Sequence, residues 1–167
     1  MKATLVPSEF INLQGIEYFK FEEDFMEENV RCIPMVVRYK MDLAGIKLKL
    51  GEWGRFRPQE RIKLALMPIN SRSETEHYRK HLVKLITKYT GNIATELAVD
   101  QSPEWNNLME LPQMLKEKSE ELQMEISIGQ WQRLSTLQRF TLLKLCRPGH
   151  ENKNFPKAAN EFGLIKT

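Results

Sequence analysis

The stretch from Ile33 to Pro68 constrains this chain most, because it nearly recurs. It reads IPMVVRYKMDLAGIKLKLGEWGRFRPQERIKLALMP. Moved forward 78 positions without a gap, it lies on LPQMLKEKSEELQMEISIGQWQRLSTLQRFTLLKLC, Leu111 to Cys146. Seven of the 36 paired positions are identical: Pro34/Pro112, Lys40/Lys118, Gly51/Gly129, Trp53/Trp131, Arg55/Arg133, Arg61/Arg139 and Leu64/Leu142. Apolar residues also meet apolar residues, as at Val37/Leu115, Ile46/Met124, Leu48/Ile126 and Leu50/Ile128. Because prolines, glycines and tryptophans keep one offset, we expect an internal duplication, 33–68 and 111–146. A residue kept in both halves is more simply part of a repeated core, and Trp53 and Trp131 are read that way.

Within each half the local signals agree. Pro34 and Pro112 open helices, since proline suits the first helical position. Met35, Val36, Tyr39 and Leu43 recur at helical spacing, and Gly45 is placed to end that helix. Ile46, Leu48 and Leu50 alternate with Lys47 and Lys49, which predicts short extended connectors at 46–50 and, in the second half, 124–128. A short helix then carries the tryptophan inward. The last helix is opened by Pro58 in one half and by a capping box, Ser135 with Gln138, in the other.

Outside the halves, Glu22 to Val30 reads as a short helix with an acidic start. Ser73 with Glu76 forms a capping-box candidate before Tyr78, Leu82, Leu85, Ile86 and Tyr89, an amphipathic helix ending at Gly91. Residues 92–99 read as a further short helix, Ser102-Pro103 as the start of a brief turn, and Pro156 to Phe162 as a last helix. The expected fold is mostly α, one compact domain over 1–167 with about seven short helices.

Composition narrows the function classes. The 167 residues are 41% hydrophobic and 28% charged, a globular balance. The net charge of +3 is spread among acidic residues, which argues against nucleic acid. No apolar run is long enough to span a membrane, no signal peptide is evident, and two cysteines suit a reduced compartment. A cytoplasmic protein is expected.

Few residues carry candidate chemistry. Cys32 stands just before the helix at Pro34 and beside Arg31, a place that favours a thiolate or a soft metal ligand. Its bland reading is a small side chain packed at the helix start. Cys146 is read as core. His77 and His81 lie four apart, as two metal ligands on one helix face would, but a third ligand is lacking and a solvated pair is the simpler reading. The matched arginines either cap carbonyls, pair with Asp42 or Glu120, or bind an anion. Nucleophile–base pairs, a phosphate-cradling glycine loop and a CxxC pair are missing. The last helix of each half is too apolar to read a DNA groove. Residue chemistry alone thus names no reaction.

The run FKFEEDFMEENVRCIPMVVRYKMDLAGIKLKLGEWGRF, Phe19 to Phe56, with PQERIKLALMP and ETEHYRKHL after it, resembles the nitrate-reductase-associated proteins, a small family known mainly from cyanobacteria. The likeness rests on Phe19, Phe21, Glu22, Asp24-Phe25, Arg31-Cys32-Ile33-Pro34-Met35, Arg38, Lys40, Asp42, Gly45, Lys47, Leu48, Trp53, Glu60, Arg61 and Pro68, and extends to Trp131 and Arg139. It implies an auxiliary, non-enzymatic role beside assimilatory nitrate reductase, through binding the enzyme or its molybdenum-cofactor assembly machinery. It supplies no catalytic residue, and neither a cofactor nor a metal is expected in the protein itself. The alternative is a small metal- or thiol-redox protein using Cys32. Since the two halves differ before their prolines, Arg31 and Cys32 are expected to mark a working surface, together with Arg38, which with Arg31 could meet a cofactor phosphate.

Overall fold

Prolines, left-handed turns and side chains that reach back to backbone amides set where the elements begin and end. The structure, a computed structural model, describes residues 8–28, 32–148 and 152–165. These residues are mostly helical and fall into two units, one ending at Asp100 and one beginning at Gln101.

The first unit contains α1 (Lys20–Glu28), α2 (Met35–Ala44), β1 (Ile46–Lys47), α3 (Leu50–Trp53), α4 (Pro58–Leu66), α5 (Arg72–Thr90) and β2 (Thr95–Glu96). Its core forms around Trp53, which stacks on Phe10 at 6.2 Å between ring centroids and meets Phe56 edge-on. Helix α5 turns Tyr78, Leu82, Leu85 and Ile86 into that core, and the Tyr78 hydroxyl donates to the Leu64 carbonyl at 2.9 Å. Strands β1 and β2 pair antiparallel, Ile46 opposite Glu96 and Lys47 opposite Thr95.

The second unit contains a 3₁₀ turn (Glu104–Asn106), α6 (Gln113–Glu121), α7 (Ile128–Arg133), α8 (Thr136–Cys146), another 3₁₀ turn (Asn152–Asn154) and α9 (Phe155–Glu161). Trp131 is fully buried, and its indole N–H donates to the Asn107 carbonyl at 2.8 Å. Phe140, Leu142, Leu145 and Phe155 are buried with it.

The same construction recurs at one spacing. Helices α2, α3 and α4 begin at 35, 50 and 58, and α6, α7 and α8 begin at 113, 128 and 136. Each of the last two pairs starts with a side chain reaching back to the amide just before the helix. Glu52 accepts from Lys49 N at 2.9 Å and Glu60 from Arg57 N at 3.0 Å. Gln130 accepts from Ser127 N and Gln138 from Ser135 N, both at 2.9 Å. In the second unit the serines complete the box by accepting from those glutamines' amides at 3.1 Å.

Several sequence expectations are corrected. Pro34 and Pro112 are extended residues just outside α2 and α6, not their first helical residues. Ser71, not Ser73, caps α5, accepting from Glu74 N at 3.1 Å. The segment Ser71-Arg72-Ser73-Glu74-Thr75-Glu76 holds two overlapping boxes, and spacing alone cannot choose between them. Residues 92–99 hold β2 rather than a helix. Only Ala94 of 92–99 is buried and Ile93 is 94% exposed, so there is no apolar face to pay for helix formation, while β1 offers a ladder. Helix α6 stops at Glu121, short of Met124. Glu120 and Glu121 meet the negative end of the helix dipole there, and Gln123 turns left-handed at φ 55°. Finally, Leu50 and Ile128 begin helices and are substantially exposed, so only the first two apolar residues of each connector face inward. The part of the expected first helix at Val30 lies outside the described residues.

Candidate functional site

The start of α2 is built by groups that meet its otherwise unpaired backbone. Glu22, on α1 and 2% exposed, accepts from Met35 N at 2.7 Å with one carboxylate oxygen and from Phe19 N at 3.0 Å with the other. A carboxylate placed so satisfies a first-turn amide and complements the positive helix end. Arg38, one turn in, donates its Nε to the Ile33 carbonyl at 2.8 Å. Cys32 precedes this turn, is half-buried, and is not in a disulfide.

Of the three residues expected to mark a working surface, Cys32 and Arg38 therefore flank one helix start. Arg31 lies outside the described residues. The helix end that would activate a Cys32 thiolate is already met by Glu22, from 13 residues before Met35. No local motif flags Glu22 as a cap for α2; in the sequence it enters as the acidic start of the first helix and through the family resemblance. Arg38 directs its Nε at backbone, which is the work of a carbonyl cap.

The other candidates separate. His77 is exposed, while His81 is half-buried with its Nε2 covered and lacking a hydrogen-bond partner. Burial, then nearby Lys63 and His77, hold the His81 imidazole below its ordinary pKa. Among the described residues no group of three or more His, Cys, Asp or Glu is placed to hold a metal ion. Cys146 is buried, and burial pushes its thiol up to about 12. Lys40 is 9% exposed and donates to the Ala65 and Met67 carbonyls, both at 2.6 Å, at the end of α4. Burial pulls its pKa down to about 8.

A concave surface that no sequence motif announces lies in the second unit. This groove of about 920 Å³ runs between α6, the turn from Gln123 to Ser127, α7 and Leu164. Lys116, Glu120, Glu125 and Arg133 bring two charges of each sign to it. Ile126 and Leu164 are its buried aliphatic residues.

The fold and these sites define a small, mostly helical protein whose groove offers balanced charge and aliphatic surface. None of its described helices is long and apolar enough to cross a membrane. The chain belongs to the conserved nitrate reductase-associated protein family, whose model matches residues 18–162. That span takes in the α2 start and nearly all of the groove. No curated protein and no solved structure matches the chain.

Proposed function

We propose that this protein is a non-enzymatic accessory factor that binds assimilatory nitrate reductase and supports its maturation or activity. The observation that carries this reading is the family match across residues 18–162, since the family is described by association with nitrate reductase. An accessory protein changes its partner only by binding one state better than another. A hundredfold preference corresponds to about 2.7 kcal/mol, within reach of a modest interface. Delivery of the molybdenum cofactor is the less favoured route. A phosphate clamp needs an outward guanidinium fork, and Arg38 aims its Nε at the Ile33 carbonyl.

The test is capture from nitrate-grown cells with tagged full-length protein. Nitrate reductase should co-purify, and deleting the gene should lower nitrate reductase activity at unchanged transcript level. If the enzyme is neither captured nor affected by deletion, the reading is wrong.

A further inference from the structure

We propose that the groove at Gln123–Ser127 takes an extended segment of the partner protein, which adds to the edge at Gln123–Glu125 as an antiparallel β-strand. The choice of nitrate reductase as that partner rests on the function proposed above; the mode of binding does not.

The first unit shows what covers this place when it is filled. With the 78-residue spacing, β1 (Ile46–Lys47) corresponds to Met124–Glu125. Both are preceded by a left-handed residue, Gly45 at φ 72° and Gln123 at φ 55°. Both are followed by a residue that caps the next helix, Lys49 and Ser127. In the first unit the chain covers its own edge. The Leu97 amide donates to the Gly45 carbonyl at 2.9 Å, and Lys47 lies opposite Thr95. In an antiparallel pair the inward-facing backbone alternates, so residues 45 and 47 present their polar groups to the covering strand. Helix α5 closes the rest. Arg79 donates to the Ala44 and Gly45 carbonyls at 2.8 and 3.1 Å, and Arg55 donates to the Tyr89 carbonyl at 2.9 Å.

At the matching place the second unit has no strand and, among the described residues, no covering chain. Among the described residues, the Gln123 carbonyl and the Glu125 amide and carbonyl have no intramolecular partner. Among the described residues Arg133, the counterpart of Arg55, meets no acceptor, and it lines the groove instead. These are the groups whose counterparts are all engaged in the first unit.

The chemistry of the edge selects an extended polypeptide. Its polar main-chain groups sit two residues apart, the repeat of a strand, and a helix has already bonded the groups that would meet them. Strand addition takes affinity from main-chain bonds and specificity from alternate side chains. Here the alternate side chains would meet Ile126 and Leu164. Two charges of each sign along the wall favour a segment without a strong net charge, with a carbonyl or carboxylate near Arg133.

The test uses full-length protein and peptides of about 12 residues tiled across the nitrate reductase sequence. One tile should bind saturably and shift the backbone amide signals of Gln123, Glu125 and Ile126. N-methylation of every second amide of that tile should weaken binding at least tenfold in one phase and by less than twofold in the other. Glu125→Pro, which removes the edge amide, should weaken the unmethylated tile at least tenfold. The methylated peptides make the same test on native protein should that variant fold poorly. Loss that ignores methylation phase, or signals that shift away from Gln123–Ile126, overturns strand addition. If the enzyme is captured undiminished by Glu125→Pro and no tile binds, this inference fails and the proposed function stands. If the enzyme is not captured at all, a displayed random-peptide library replaces the tiles, and selected peptides without the methylation phase overturn the groove. Concentration-dependent dimerisation abolished by Glu125→Pro would assign the edge to a second copy, and also overturn it.

Discussion

Three arginines in this chain perform one task. Arg38, Arg61 and Arg139 each donate to a carbonyl five residues earlier, at Ile33, Phe56 and Leu134. Arg61 and Arg139 also lie over Trp53 and Trp131, at 6.0 and 5.9 Å from the ring centroids. Their matched positions thus reflect a repeated carbonyl cap over a buried indole. Arg139 is the more deeply committed, because its Nε also donates to the Trp105 carbonyl at 2.7 Å. Replacing it with methionine strands carbonyls that a charged donor had satisfied, at about 2–4 kcal/mol. Arg61→Met should cost less, about 1–2 kcal/mol, since Glu9 and part of the guanidinium reach solvent. Urea unfolding of both variants checks the order; equal losses below about 0.5 kcal/mol would remove the cap from the account. Lys40 makes a pH-dependent prediction. Its folded pKa, about 8, lies below the ordinary 10.5. Below pH 8 both states are charged and the burial penalty is complete. Between about 8 and 10.5 the unfolded chain holds more protons, so stability contributed by this site rises with pH. The urea midpoint of the wild type should therefore gain on that of Lys40→Met between pH 7.5 and 10, values set on either side of that pKa. A constant gap would contradict it.

Helices α2 and α5 each end at a left-handed glycine, Gly45 and Gly91. At Gly45 a Cβ would come within 3.0 Å of Arg79 and Val99 and 3.1 Å of the Leu97 carbonyl. Gly45→Ala should lose about 2 kcal/mol or more, combining αL strain with that crowding. Gln123 holds the same conformation without glycine, so Gln123→Gly should gain up to about 1 kcal/mol. Thermal melts of the two variants should move in opposite directions; parallel movement would refute the matched-turn reading. Much of this level was legible in the sequence. Prolines, the Ser135–Gln138 box and Gly91 placed helix boundaries to within a residue or two, because caps are local chemistry. The strand at Thr95–Glu96 was not legible, since two residues cannot display an alternation. Its partner, Ile46–Lys47, lies about 50 residues earlier in the chain. Glu22 was equally hidden as a cap, because the amide it serves belongs to another helix.

At the scale of the molecule, the matched halves diverge in what covers them. The sequence showed the identities between 33–68 and 111–146, but a groove is an absence of neighbours, and absence leaves no periodicity to read. The Cys32 end, favoured on sequence grounds, is a helix start met by Glu22 and Arg38, and the groove lies 78 residues from the counterpart that explains it. Partner capture through this surface should depend little on salt. Lys116 and Arg133 are balanced by Glu120 and Glu125, and main-chain bonds are barely screened. Between about 50 and 300 mM sodium chloride, a range that shortens the Debye length about 2.5-fold, the dissociation constant should change less than about threefold. A steep salt slope in a capture titration would point to a charged patch elsewhere.

An uncovered strand edge is ordinarily an invitation to aggregate. Here the proposed edge is cut short. The left-handed turn at Gln123 closes it on one side and the cap at Ser127 on the other, leaving room for only a rung or two of ladder. So short a template gives another copy of itself too little to hold, and stacking cannot propagate past the helices on each side. The edge becomes useful only to a chain that brings further contacts with it. Restricting its length thus turns a polymerisation hazard into a discriminating one.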